Sequence, residues 1–112
     1  MNCIFCKIAA GIIPCNKVYE DEHVLAFYDL DPQAPVHVLI IPKTHITSAA
    51  EITPENSSIV ARIFEAAAII ADKLALKDGF RIVSNCGPAG GQSVPHLHFH
   101  LLGGRDMTWP PG

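Results

Sequence analysis

Charge is scarce in this sequence. Charged residues are 17% of its 112 positions, against about a quarter in ordinary soluble domains. Apolar residues make up 49%, enough for one core and for some surface buried against a partner. The formal net charge is −3, so a nucleic-acid partner is not expected, for want of a basic footprint. No apolar run reaches the ~18 residues that would cross a membrane. The opening MNCIFCKIAAG has neither a basic n-region nor a small-residue cleavage site, and no secretory signal is read there. Repeats and low-complexity linkers are missing as well, and one domain over 1–112 is expected. Together these absences point to a reducing, cytoplasmic setting. The four cysteines, Cys3, Cys6, Cys15 and Cys86, are then no disulfide framework. Cys3 and Cys6 form a C-x-x-C pair, a spacing more typical of metal or redox chemistry.

What is present reads as α+β. CIFCKIAAGIIP predicts a short helix stopped near Gly11 and Pro14. KVYEDEHVLAFYDLDP predicts a hairpin, with arms Val18 to Glu20 and His23 to Leu30 around an Asp21-Glu22 turn. Val36 to Ile41 is β-prone and almost wholly apolar, a strand covered on both faces or by a partner. Thr53 as N-cap and Pro54 at the first position predict the start of one long helix. Val60, Ile63, Phe64, Ala67, Ile70, Ala71 and Leu74 give it an apolar face, and Gly79 a stop. FRIVSNCG predicts another strand. With one long helix among the strands, repeated βαβ winding is not expected, and a mostly antiparallel sheet of about five strands is.

The densest signal is SVPHLHFHLLGG, which holds three of the six histidines. Pro95 and Gly103-Gly104 bound a short segment, which favours a strand. On a strand His96, His98 and His100 share one face while Leu97, Phe99 and Leu101 anchor the other. On a helix the rings would spread over about 400° and share nothing. Such a row could be a solvated surface, a metal site or a nucleophilic centre. The last requires an anion cradle, and GPAGGQS just before it offers glycine N–H groups and the Ser93 hydroxyl.

HLHFHLL resembles the signature of the histidine-triad (HIT) family, and GGQSVPHLHFHLLGGRDMTWPPG is similar to its Hint branch of nucleoside phosphoramidases. IFCKI, VYEDEHVLAFYDLDPQAPVHVLIIPKTHI and GFRIVSN extend the likeness over nearly the whole chain. The resemblance implies a homodimer whose subunits each hold a five-stranded antiparallel sheet with one long and one short helix. It implies hydrolysis of the P–N bond of purine nucleoside 5′-phosphoramidates, with AMP, GMP or adenosine as ligands and no catalytic metal. His98 is then the nucleophile, oriented by the carbonyl of His96. His100 binds phosphate and leaving-group oxygens, Ser93 touches the departing amine, and His37 is a fourth histidine near the triad. Asp29 holds the ribose hydroxyls, Phe5, Ile8, Phe27 and Leu30 form the base slot, and Asn85 and Gly91 face the ribose-phosphate. The C-x-x-C pair resembles that of some bacterial members, which implies structural zinc on Cys3, Cys6, His45 and His96. Related members cleave dinucleoside polyphosphates or transfer nucleotidyl groups, and a non-catalytic nucleotide-binding dimer is the remaining alternative.

Overall fold

The computed structural model describes residues 3–112. The chain forms α1 (Ile4–Ala9), β1 (Lys17–Glu20), β2 (Val24–Tyr28) and β3 (Val36–Pro42), then α2 (Ser58–Lys73), β4 (Phe80–Val83) and β5 (Phe99–Gly103), with a 3₁₀ turn at Ala49–Glu51. The strands make one sheet in the order β1-β2-β3-β5-β4. Every neighbouring pair is antiparallel. This is the α+β arrangement expected from the sequence. The hairpin turn is closed by Asp21, whose Oδ1 accepts the N–H groups of His23 and Val24 at 2.8 and 2.9 Å.

β3 is covered on both faces. Val38 and Ile40 join the core under α2 with Val24, Ala26, Ile63, Ala67 and Ile70. Leu39 and Ile41 face the other way and pack with Leu25, Phe27, Phe5 and Cys3 beneath α1. Alternation along a strand sends successive side chains to opposite faces, so an unbroken apolar run means two covered faces.

Both ends of α2 differ from the sequence expectation. Thr53 and Pro54 lie in a turn ahead of α2, whose regular part begins at Ser58 after Ser57. Asn56 is the cause. Its Oδ1 accepts the Thr53 N–H at 2.7 Å and its amide donates to the Glu51 carbonyl at 3.1 Å, folding the segment back on itself. At the other end the stop is Ala75, at φ 58°, not Gly79. The Leu76 N–H reaches the Ala71 carbonyl (2.9 Å) and the Ala75 N–H that of Asp72 (3.1 Å), the paired bonds of a Schellman cap. Gly79 instead makes the turn into β4, at φ 122°.

Candidate active site and metal-binding cluster

The histidine segment begins before its strand does. β5 starts at Phe99, so His100 alone of the three lies in the ladder, opposite Leu39 and Val83. His96 sits in a bend and His98 in irregular chain just ahead of the strand. The alternation survives this, because Leu97, Phe99 and Leu101 all enter the α2-side core. The expected common face does not survive whole. His98 and His100 pack ring to ring at 5.1 Å, while the His96 ring turns toward Cys3, Cys6 and His45.

Hydrogen bonds assign the protons on these rings. His98 Nδ1 lies 2.7 Å from the His96 carbonyl. A carbonyl only accepts, so Nδ1 carries hydrogen and the neutral ring has its lone pair on Nε2. Phe5 abuts the His98 ring edge-on at 5.1 Å, and Ser84 Oγ donates to the His98 carbonyl at 2.9 Å. Nothing in the sequence marked Ser84.

A second chain of bonds runs through His37. The Gln33 backbone N–H donates to His37 Nδ1 at 3.0 Å, which places the hydrogen of neutral His37 on Nε2. That N–H meets His100 Nδ1 at 2.9 Å, with Asp29 Oδ2 at 3.4 Å beside it. His100 Nδ1 therefore accepts, and neutral His100 keeps its hydrogen on Nε2. Burial pushes the His37 pKa down, against the opposing pull of Asp29 and Asp31. His100 is held at about 4, by burial first and then by His98 and His37. Both rings are thus neutral near pH 7. Asp29, His37 and His100 stand close enough to grip a cation. With Gln33 donating into Nδ1, however, a metal on His37 Nε2 would require an imidazolate. The trio reads as a hydrogen-bond relay.

Cys3, Cys6, His45 and His96 are different. His96, 0% exposed, has Nε2 at 2.9 Å from the Pro42 carbonyl. Its hydrogen is therefore on Nε2, and Nδ1 aims a bare lone pair at Cys3 Sγ (3.3 Å), Cys6 Sγ (3.5 Å) and His45 Nδ1 (3.1 Å). His45 Nδ1 lies 3.2 Å from Cys6 Sγ. Tetrahedral zinc with these ligands has edges of about 3.3–3.8 Å. The donor types fit, the edges are slightly contracted from that figure, and the carbonyl behind His96 is the usual outer partner of a metal-bound imidazole. The four residues can hold a metal ion. Local structure brings them together. Cys3 caps α1 with its sulfur accepting the Cys6 N–H at 3.3 Å, and the Leu97 N–H bonds the Ile46 carbonyl at 2.6 Å.

Part of the donor set of the glycine loop is spent within the loop. The N–H groups of Gly90 and Gln92 bond the Gly87 carbonyl, and that of Gly91 bonds Pro88. The Gly87 N–H goes to the Gln92 side chain at 2.9 Å. These donors are already engaged inside the loop. Gln92, which no sequence pattern singles out, also donates to the Thr47 and Val94 carbonyls. Among the described residues no hydrogen bond links Ser93, Asn85 or Gly91 to the histidine rings. Ser93 is exposed.

The base-slot residues do converge. Phe5, Ile8, Phe27, Asp29 and Leu30 line one cleft of about 200 Å³ between α1 and β2, together with Leu39, Cys15 and Asn16. Leu30 forms its lip and is 99% exposed. Phe5 joins the cleft to the His98 ring.

Residues 10–107 match the HIT domain family. The chain is 48% identical over 111 residues to the adenylylsulfatase HINT1 of Arabidopsis thaliana, spanning 97% of this chain and 76% of that one. It is 50% identical over 111 residues to a 14 kDa zinc-binding protein of Zea mays, spanning 97% and 87%. A solved HIT family hydrolase from Legionella pneumophila Philadelphia 1 is 51% identical and superposes with a TM-score of 0.97 over 99% of this chain and 100% of that one. Among the described residues no helix is long and apolar enough to cross a membrane.

Proposed function

The chain belongs to the HIT family, and from that premise we propose that it is a hydrolase of nucleoside 5′-monophosphate conjugates that works through a nucleotidyl-histidine on His98. The observation that carries this reading is the 2.7 Å bond from His98 Nδ1–H to the His96 carbonyl, which leaves Nε2 as a free nucleophile. The Nε2 lone pair attacks the α-phosphorus and the bond to the leaving group breaks with its electron pair. His98 is then substituted on both nitrogens and positive, and the His96 carbonyl facing Nδ1–H stabilises that charge. Water next attacks phosphorus, the P–Nε2 bond breaks, its pair returns to the ring, and the proton the water sheds replaces the one spent on a departing amine. His100 steadies phosphate oxygens through Nε2–H. Held neutral, it is no cationic acid, so the proton for a departing amine comes from Ser93 or from water that Ser93 holds.

The preferred substrates are purine nucleoside 5′-phosphoramidates, with the base in the α1–β2 cleft and the ribose on Asp29. The name of the Arabidopsis relative favours a second reading, an adenylyl sulfate as substrate. The two differ in one need: sulfate leaves as a stable anion and takes no proton. Ser93→Ala is therefore expected to slow an AMP–amine conjugate about 100-fold while sparing adenylyl sulfate. Parallel kcat/KM values for those two and a diadenosine polyphosphate rank the substrates. His98→Asn is expected to abolish turnover of all three and to remove the AMP adduct seen by intact-mass spectrometry of quenched enzyme. Full turnover in that variant overturns the proposal, and tight AMP binding without turnover in the wild type favours a scaffold.

Cys3, Cys6, His45 and His96 would hold zinc, which supplies a structural cross-link and no reacting group. In this reading the protein is a homodimer, with a second copy covering half-exposed Phe64, Ile69 and Phe80.

A further inference from the structure

The cleft between α1 and β2 has apolar walls, so the polar groups on its border decide which ring edge it accepts. Phe5, Ile8, Phe27 and Leu39 give it faces to pack a planar base. Four residues with polar side chains border it. Asp29 is assigned to the ribose, with its Oδ1 also accepting the Asp31 N–H at 2.8 Å and its Oδ2 beside His37, so it is not left for the base. Tyr28 packs its side chain on the α2-side core and meets the cleft through its backbone. Cys15 packs on the α1-side cluster, and a thiol is a weak hydrogen-bonding group. Asn16 remains. Its carbonyl accepts the Tyr28 N–H at 3.0 Å, which fixes its backbone beside the sheet. Its side chain is exposed, and among the described residues nothing hydrogen-bonds its amide.

We infer that Asn16 reads the edge of the base, an inference that rests on the nucleotide reading above. An amide presents one acceptor and one donor side by side, and a half-turn exchanges them. Adenine offers its 6-amino group beside a ring acceptor. Guanine offers O6 beside N1–H. One amide orientation meets each, so Asn16 grips either purine. A carboxylate at the same place only accepts. It matches guanine, whose N1–H and N2–H donate in parallel, and it opposes the ring acceptor of adenine.

Binding of AMP and GMP is measured by calorimetry on the full chain for wild type, Asn16→Asp and Asn16→Ala. Asn16 is exposed, and circular dichroism verifies that both variants fold. Asn16→Asp is expected to raise the GMP-over-AMP affinity ratio about tenfold. The added negative charge acts on the same 5′-phosphate in both ligands and cancels in that ratio. Asn16→Ala is expected to weaken both nucleotides several-fold. If Asn16→Asp binds both nucleotides with the wild-type ratio, Asn16 does not face the base, and the inference falls while the nucleotide reading stands. If wild type binds neither nucleotide, the nucleotide reading falls and this inference with it.

Discussion

His37 donates to His100 and touches no proposed reacting atom, so it is a positioning residue. His37→Phe keeps the bulk and removes the Nε2–H that meets His100 Nδ1. His100 can then carry its hydrogen on either nitrogen, and the form that offers Nε2–H to phosphate is no longer selected. A loss of about 10- to 100-fold in kcat is expected, with KM nearly unchanged, measured on an AMP–amine conjugate. A role in packing alone would lower the melting temperature and leave kcat intact. The same ring contributes to acid sensitivity. His100 titrates at about 4 in the fold against an ordinary 6.5, so between those values the unfolded chain binds more protons. The stability linked to His100 is complete above about pH 6.5 and is lost as pH falls toward 4. Melting curves across that window are expected to be flatter for His100→Asn than for wild type, and identical slopes would refute the assignment.

Among the elements, α2 carries a testable flaw. Ala75 occupies the left-handed region at φ 58°, where a Cβ is strained and glycine is at ease. Ala75→Gly is expected to stabilise the protein by about 0.5–1 kcal/mol, a rise of a few degrees in Tm by calorimetry; a fall in Tm would contradict the cap. Ala75 also shows where sequence reading loses its grip. Gly79 carries the residue type that helices favour at their ends, while Ala75 is chosen by bonds to Ala71 and Asp72 that no local pattern displays. The same holds for Asn56, whose side chain delays the helix start. The strands were legible because period-two and continuous apolar runs record how many faces are covered, as in β3. The histidine row was legible for the same reason, since Leu97, Phe99 and Leu101 mark the buried side. The turn within the glycine loop was not, because its N–H groups bond the Gly87 and Pro88 carbonyls and, from Gly87, the side chain of Gln92. Ser84 is tied to His98 and Asn16 to Tyr28 by bonds between residues distant in sequence, and composition cannot reveal that.

In the whole molecule, the Cys3, Cys6, His45 and His96 cluster and the cleft share α1. This helix has six residues, too few to persist alone. Its anchors are the buried Phe5 and Cys3 and the Cys6 sulfur beside His45. Phe5 and Ile8 are also walls of the proposed base slot, and His96 joins the cluster by its ring and His98 by its carbonyl. Removing a bound metal is therefore expected to loosen residues 4–9 while leaving α2 in place. Hydrogen exchange of zinc-loaded and chelated protein should show protection lost in α1 and kept in Ser58–Lys73. AMP affinity should fall with it by about tenfold, within the usual range of coupling between two sites. Linkage then fixes a second measurement, because saturating AMP must tighten zinc binding by the same factor. A competition titration with a chromogenic chelator, with and without AMP, reads that factor directly. If α1 loses protection and AMP affinity does not move, α1 is no wall of the nucleotide site. If the two factors disagree, chelation has done more than release the metal, and the cluster and cleft are joined by something other than this helix.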